Sequence, residues 1–287
     1  MKIINSLNNI EQIYIDNQFS FEKWFQYIDS INPDLKQLCF DDYNEVIKSG
    51  EYTFEKDYLP ILNNVLKDLN LRNKMIESFE STTKNIEETI YNKLGRSVDV
   101  VVLLYVGLGN GAGWVTNVGK DTYCLLGAEK IMELNWCDKA SMYGLIYHEL
   151  GHVYQEQYGI LERDFDNNRH KYLWQLFTEG IAMYFEQLLV GDFQYYHQDI
   201  CGWKNWCDNN LDQIKLDFTN DLDNMTFENQ RYFGDWVKYK DHSDVGYYLG
   251  TKFIHYICKE YNFNDILAFE IDKVEELYNK FIIEKIR

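Results

Sequence analysis

The residues of this chain best suited to chemistry are two histidines four positions apart, with a glutamate after the first: His148-Glu149-Leu150-Gly151-His152. On a helix, positions four apart lie on one face, about one turn from each other. Two imidazoles placed this way can share a divalent metal ion. Glu149 then stands near the ion's open coordination position, where a carboxylate can take a proton from water. The plainer reading is a pair of helix histidines satisfied inside a core. Against it, the polar side chains at 148, 149 and 152 interrupt an otherwise apolar stretch through Leu145, Ile146, Leu150 and Val153. Such a cluster is costly to bury unless something pairs with it, and a dication would.

Two histidines do not complete a catalytic site. A third protein ligand is needed, with the fourth position left to water. The extended pattern His-Glu-x-x-His-x-x-Gly-x-x-His fails, because Gln155 and Tyr158 occupy the glycine and third-histidine places. The leading candidate is Glu179, in the apolar run Thr178-Glu179-Gly180-Ile181-Ala182-Met183-Tyr184-Phe185-Glu186; His170 follows, then Asp164 or Asp166. Glu186 is seven residues after Glu179 and so shares its helix face, where it would support a ligand by hydrogen bonding.

These residues resemble the glutamate-ligand zincin metallopeptidases, the gluzincins. The resemblance rests on His148-Glu149-Leu150-Gly151-His152 followed by a helix carrying Glu179-Gly180-x-Ala182. It is closest over 145–186, looser over 98–145 and 240–256, and does not reach the first ninety residues. It implies one Zn2+ per chain held by His148, His152 and Glu179, with Glu149 as general base. It also implies that Gly111-Ala112-Gly113-Trp114 lies on the edge strand that binds an extended peptide. The segment Asp244-Val245-Gly246-Tyr247-Tyr248-Leu249-Gly250 is similar to a feature of an uncharacterised bacterial family of predicted zinc-dependent proteases. One departure is Met183, where many gluzincins carry an aspartate four residues after the ligand glutamate, so the supporting carboxylate has to come from elsewhere, with Glu186 the candidate. The activity expected is hydrolysis of peptide bonds in a peptide or protein substrate. His242, Tyr247 and Tyr248 are the candidates for stabilising the oxyanion, set against plain core packing and helix capping. Two other readings stay open: a non-catalytic interaction protein that keeps zinc for structure, and a metal hydrolase of a non-peptide amide.

The elements that must position these groups follow from pattern. Asp138 is placed to cap a helix from about Lys139 to Gln157. His170 to Leu189 reads as the helix bearing Glu179, and Gly180 and Ala182 let it pack closely. Val98 to Val106 reads as a buried strand. A glycine-rich turn follows at 107–113, which no Gly-Lys-Ser/Thr ends, so it is not a phosphate loop; residues 111–117 read either as the rim where an extended peptide adds itself as a strand or as an ordinary glycine-rich hairpin, and short strands are expected at Trp114–Asn117 and Thr122–Leu126. Upstream, residues 1–96 read as mostly helical: Phe21–Ile31, Asp34–Ser49 closed by Gly50, Phe54–Leu69 with Pro60 either kinking it or marking its true start, and Leu71–Leu94 closed by Gly95. Downstream, 191–240 reads as irregular with short helices. Ser243 or Asp244 starts a helix to about Tyr261, in which Gly246 and Gly250 mark a face for close approach, and Asn264–Lys285 is helical again. The expected class is α+β and zincin-like: a small mixed sheet with an edge strand beside the His-Glu-x-x-His helix, flanked by N- and C-terminal helical regions. The expected division is 1–96, 97–192 and 193–287.

Composition bounds the rest. With 287 residues, 46% of them hydrophobic, the chain can bury a substantial core. A formal net charge of −18 repels polyanions and argues against a nucleic-acid partner. No apolar run reaches the length of a membrane span, and the first residues lack a signal-peptide core. Six scattered cysteines without a Cys-x-x-Cys read as reduced thiols of a cytoplasmic protein, with Cys201 and Cys207 close enough to raise a disulfide or a second metal site as the alternative.

Overall fold

A computed structural model describes residues 1–50, 52–234 and 237–284. It is mixed α+β, with a small mixed sheet and flanking helices. The chain divides into two compact units, Met1–Glu149 and Leu150–Arg287.

The first unit is built on a four-stranded sheet. Its strands are β1 (Lys2–Asn5), β4 (Val101–Tyr105), β5 (Gly113–Val118) and β6 (Asp121–Gly127), in the order β1-β4-β6-β5. β1 and β6 run parallel to β4, and β5 runs antiparallel to β6. A separate two-stranded hairpin, β2 (Tyr14–Ile15) and β3 (Gln18–Phe19), turns through Asp16 and Asn17, both with positive φ as a tight hairpin turn requires. The region 1–96 is mostly helical, as expected, with β1 and the β2–β3 hairpin in addition. Lys2-Ile3-Ile4-Asn5 is too short to declare itself, and it becomes a strand because β4 offers it a parallel partner.

Register decides what faces what. Trp114 pairs with Leu125 and Thr116 with Tyr123, so these share a face with Leu103 and Tyr105 of β4. Helices α1 (Phe21–Ile31) and α2 (Pro33–Ser49) cover that face. Trp24 donates to the Val106 carbonyl, Asn32 donates to the Tyr123 hydroxyl, and Cys39 lies 3.6 Å from the Tyr105 hydroxyl. The opposite face carries Gly113, Val115, Cys124 and Leu126, and against it lies α7 (Lys139–Tyr158), whose Leu145 and Glu149 reach Gly113. Helices α3 (Leu59–Lys67), α4 (Leu69–Thr83), α5 (Ile86–Leu94) and α6 (Ala128–Glu133) complete this unit.

Two expected helices are divided. Pro60 marks a true start: α3 begins at Leu59, with Pro60 in its first turn where a missing amide costs nothing, and Phe54–Tyr58 before it forms a single wide π-turn. Leu71–Leu94 is broken after Thr83, whose hydroxyl bonds back to the Phe79 carbonyl, and Asn85 restarts the chain as α5. The expectations at Phe21–Ile31, at Gly50 and at Gly95 hold, both glycines closing their helices with positive φ.

The second unit is helical: α8 (Asn168–Val190), α9 (Trp203–Asp221), α10 (Val245–Ile257), α11 (Phe263–Ile266) and α12 (Ile271–Ile283). The segment 191–240 is thus not simply irregular. Trp203, Cys207, Leu211, Ile214 and Phe218 recur at helical spacing and are buried along one face of a 19-residue helix. α10 ends at Ile257, short of Tyr261, and Asp244 does not cap it in the usual way; its carboxylate accepts from the Gly234 amide instead. The last helical stretch is two helices, and Lys285 lies outside the described residues. α8 and α10 pass so closely that a β-carbon on Gly180 would stand 2.5 Å from the Gly250 carbonyl oxygen. All six cysteines are free thiols, so Cys201 and Cys207 are not joined. Among the described residues, no helix is long and apolar enough to cross a membrane.

Candidate metal centre

The helix that carries the motif starts as expected. The Asp138 carboxylate accepts from the Ala140 and Ser141 amides at 2.9 and 3.1 Å and from the Ser141 hydroxyl at 2.8 Å, closing the free amides of the first turn. Partial burial raises the Asp138 pKa, but the Ser141 amide and hydroxyl and the Ala140 amide outweigh it and hold the carboxyl below its ordinary value. From this cap α7 runs unbroken for 20 residues, so His148 and His152 lie one turn apart on one face.

Glu179 reaches this face because α7 and α8 are in close contact. A β-carbon on Gly151 would lie 2.7 Å from the Ala182 Cα, so a side chain at 151 would force the helices apart. Ala182 sits one turn beyond Glu179 on α8 and shares its face. The result is an Nε2–Oε2 distance of 3.4 Å between His152 and Glu179, with both side chains largely shielded. One ligand atom each from His148, His152 and Glu179 falls within 4.8 Å of the others, and His148 is buried. Tetrahedral ligands on zinc, at about 2.0–2.2 Å from the ion, stand about 3.4 Å apart. The His152–Glu179 spacing is of that size. Two imidazole nitrogens and a carboxylate oxygen form a donor set that could hold a metal ion.

Glu149 lies beside this group on α7. Its Cγ and Oε1 come so near the Gly113 backbone that a β-carbon there would be 2.9 Å from each. The glutamate carboxylate is thus laid against β5, the last strand of the sheet. Cys124, on β6 beneath it, has its thiol pushed well above the ordinary value by burial, with the Glu149 charge adding to the effect.

The other candidates have these surroundings. His170 bonds through Nε2 to Glu275 of α12 at 3.3 Å and is not part of the ligand group. Asp164 and Asp166 are exposed in the loop before α8. Glu186 does not support a ligand histidine: both of its oxygens lie within hydrogen-bonding distance, 2.9 and 3.1 Å, of the His197 Nδ1. Burial raises the Glu186 pKa, and the His197 charge only partly offsets this. His242 stacks on the Trp206 indole with ring centroids 3.8 Å apart, in a turn closed against Tyr239. Tyr248 is buried and donates its hydroxyl to Asp208 at 2.5 Å. Tyr247 is half-buried, edge-on to Phe233.

One group went unnoticed in the sequence. Glu129 is 1% exposed, and its carboxylate accepts from the Gly107 and Gly109 amides, each at 2.9 Å. A glutamate following an apolar strand and a glycine-rich turn was the available signal.

Comparison with family models, with curated proteins and with solved structures returns no match to this chain.

Proposed function

We propose that this protein is a zinc-dependent metallopeptidase with a zincin-like catalytic region. The reading is carried by one observation: His148, His152 and Glu179 converge to within 4.8 Å while Glu149, between the two histidines, lies against the end strand of the sheet. Two imidazoles and a carboxylate suit zinc, leaving a coordination position for water. A zinc ion held there would supply Lewis acidity toward water and a carbonyl oxygen.

The chain's own residues do the rest. Glu149 takes a proton from the attacking water and returns it to the leaving amine. β5 ends the sheet, with no strand beyond it among the described residues, and an extended peptide could add itself there as a further strand. That pairing would fix a scissile bond beside Glu149. Gly113 matters here because any side chain would occupy the space the Glu149 carboxylate uses.

The test begins with the purified chain dialysed against zinc. About one equivalent should remain bound, and a mixed peptide library should be cleaved. Glu149→Gln should keep the metal and lose cleavage, since it removes the base and no ligand. Glu179→Ala should lose the metal, with affinity falling about 100-fold or more, because even the residues that merely orient ligands are worth 10–100-fold. A chain that binds no transition metal at neutral pH sinks the proposal, as does full cleavage by the Glu149→Gln variant.

A further inference from the structure

The segment Gly107-Leu108-Gly109-Asn110-Gly111-Ala112-Gly113 leads straight into β5. Four of its seven residues lack a side chain, so it has little of its own with which to hold a shape. What holds it is a set of polar contacts from outside. The Glu129 carboxylate grips its start, with Oε2 on the Gly107 amide and Oε1 on the Gly109 amide. Asn110 donates to the Cys39 carbonyl at 2.9 Å and to Asp42 at 2.7 Å. The Gly127 amide donates to the Ala112 carbonyl, where β6 ends and α6 begins. The fit leaves no slack: a β-carbon on Gly107 would stand 2.8 Å from Glu129 Oε1, and one on Gly127 would stand 2.4 Å from the Gly111 carbonyl oxygen.

Keeping a carboxylate here works against stability. Burial pushes the Glu129 carboxyl above its ordinary range, and the Gly109 and Gly107 amides pull it only part of the way back. A purely structural core would be served as well by an apolar side chain at 129, with the loop's amides turned to water or to carbonyls. The carboxylate instead selects one backbone course for the loop, and that course ends at Gly113, against the Glu149 side chain. At the next residue, the Trp114 indole is tied to the Tyr105 hydroxyl at 3.2 Å, so the strand enters the sheet held on both faces.

We propose that Glu129 is a positioning residue for the site: through residues 107–112 its carboxylate sets where Gly113 and the edge strand stand relative to Glu149, and so how an extended peptide is held there. This rests on the peptidase reading for its consequence in catalysis, but not for its consequence in structure.

The experiment compares Glu129→Gln with the parent protein in three measurements. Glutamine keeps the shape and one acceptor oxygen but turns an NH2 toward the other backbone amide. Zinc alone, titrated into each protein, should bind with affinities within about twofold, because no ligand is touched. Amide hydrogen exchange across 107–116 should speed up about tenfold or more in the variant, the scale of one lost charge-assisted hydrogen bond. On a cleavable peptide, KM should rise about tenfold, while kcat per zinc-loaded molecule changes far less. A residue that merely stabilised the fold would reduce the folded fraction and leave KM where it was. Unchanged exchange at 107–116, or activity lost only in step with folded protein, overturns the proposal. Should Glu129→Gln fail to fold, Asn110→Ala frees the same loop from its other anchor, and the same three measurements decide. A parent protein that cleaves no peptide refutes the peptidase reading, and the exchange measurement still decides whether Glu129 sets the course of the loop.

Discussion

Adjacent tyrosines on α10 have different fates, and the difference is testable. Tyr248 is fully buried, and its hydroxyl donates a hydrogen bond to Asp208, which Lys204 also contacts at 2.6 Å. Burial and the Asp208 charge push the phenol upward, so it stays protonated and bound. Tyr247 is half-buried in the first turn of a helix that crosses α8 at Gly180, the residue after Glu179. A phenol from this segment that faced the oxyanion would contribute about 2.7–4 kcal/mol to the transition state. Tyr247→Phe should therefore lower kcat about 100-fold or more with zinc content unchanged. Tyr248→Phe should leave kcat alone and cost about 1.5–3 kcal/mol of stability, the worth of a hydrogen bond to a charged group. Peptide turnover and urea denaturation of both variants check the assignment; the reverse pattern would move the donor to Tyr248. At this scale the sequence was readable where spacing along one element carried the meaning, as for His148 and His152. It misled where the partner lay across a loop: helix periodicity made Glu186 a hydrogen-bonding support for a ligand, but its carboxylate lies against His197, in an aperiodic stretch. Glu129 was invisible for a similar reason, since its partners are backbone amides twenty or more residues earlier.

Among the elements, the spacing of α7 and α8 decides whether the ligands meet, and small residues set that spacing. Gly151→Ala brings two opposing effects. Alanine favours a helix interior by about 1 kcal/mol over glycine. The added carbon, however, would stand 2.7 Å from the Ala182 backbone, and overpacking of this kind costs about 1–3 kcal/mol. The overpacking should win, with the helices moving apart beside His152 and Glu179. We expect metal affinity to fall about tenfold or more, while the metal-free protein loses at most about 2 kcal/mol. Zinc titration alongside thermal melts of the metal-free protein separates the two; unchanged affinity would mean the helices can part without moving the ligands. Gly180, Gly246 and Gly250 were legible in the same way, as glycines at helical spacing within apolar runs. The helix at 203–221 had its period as well, but aromatic and acidic residues around Trp203, Cys207, Leu211, Ile214 and Phe218 diluted it. β1 had no period to read, because four residues acquire strand identity only from a neighbour nearly a hundred residues away. Elements with a clear apolar period were therefore recognisable from the sequence, and those with a diluted period or a distant partner were not.

On the scale of the whole molecule, the formal charge of −18 adds a long-range field to whatever the site does. Such a field raises the local concentration of cations, which helps both a metal dication and a basic substrate. The effect depends on distance and so on salt: the Debye length is about 30 Å at 0.01 M and about 8 Å at 0.15 M. Contacts made at the site itself, by β5 amides or the Glu149 carboxylate, are much less screened because they act within a few ångströms. The two contributions can therefore be separated. For a cleaved peptide with added lysines outside the scissile region, kcat/KM should fall several-fold as ionic strength rises from about 0.01 to 0.15 M. A neutral peptide sharing the same scissile residues should change by less than about twofold over that range. The loss should appear in kcat/KM and KM and spare kcat, since steering acts on encounter rather than on the bond-breaking step. Steady-state kinetics on the peptide pair, with zinc held constant, measures this. Equal salt dependence of both peptides would show that the charge is too dispersed to steer substrate. Preference among substrates would then rest on the local surfaces of the edge strand.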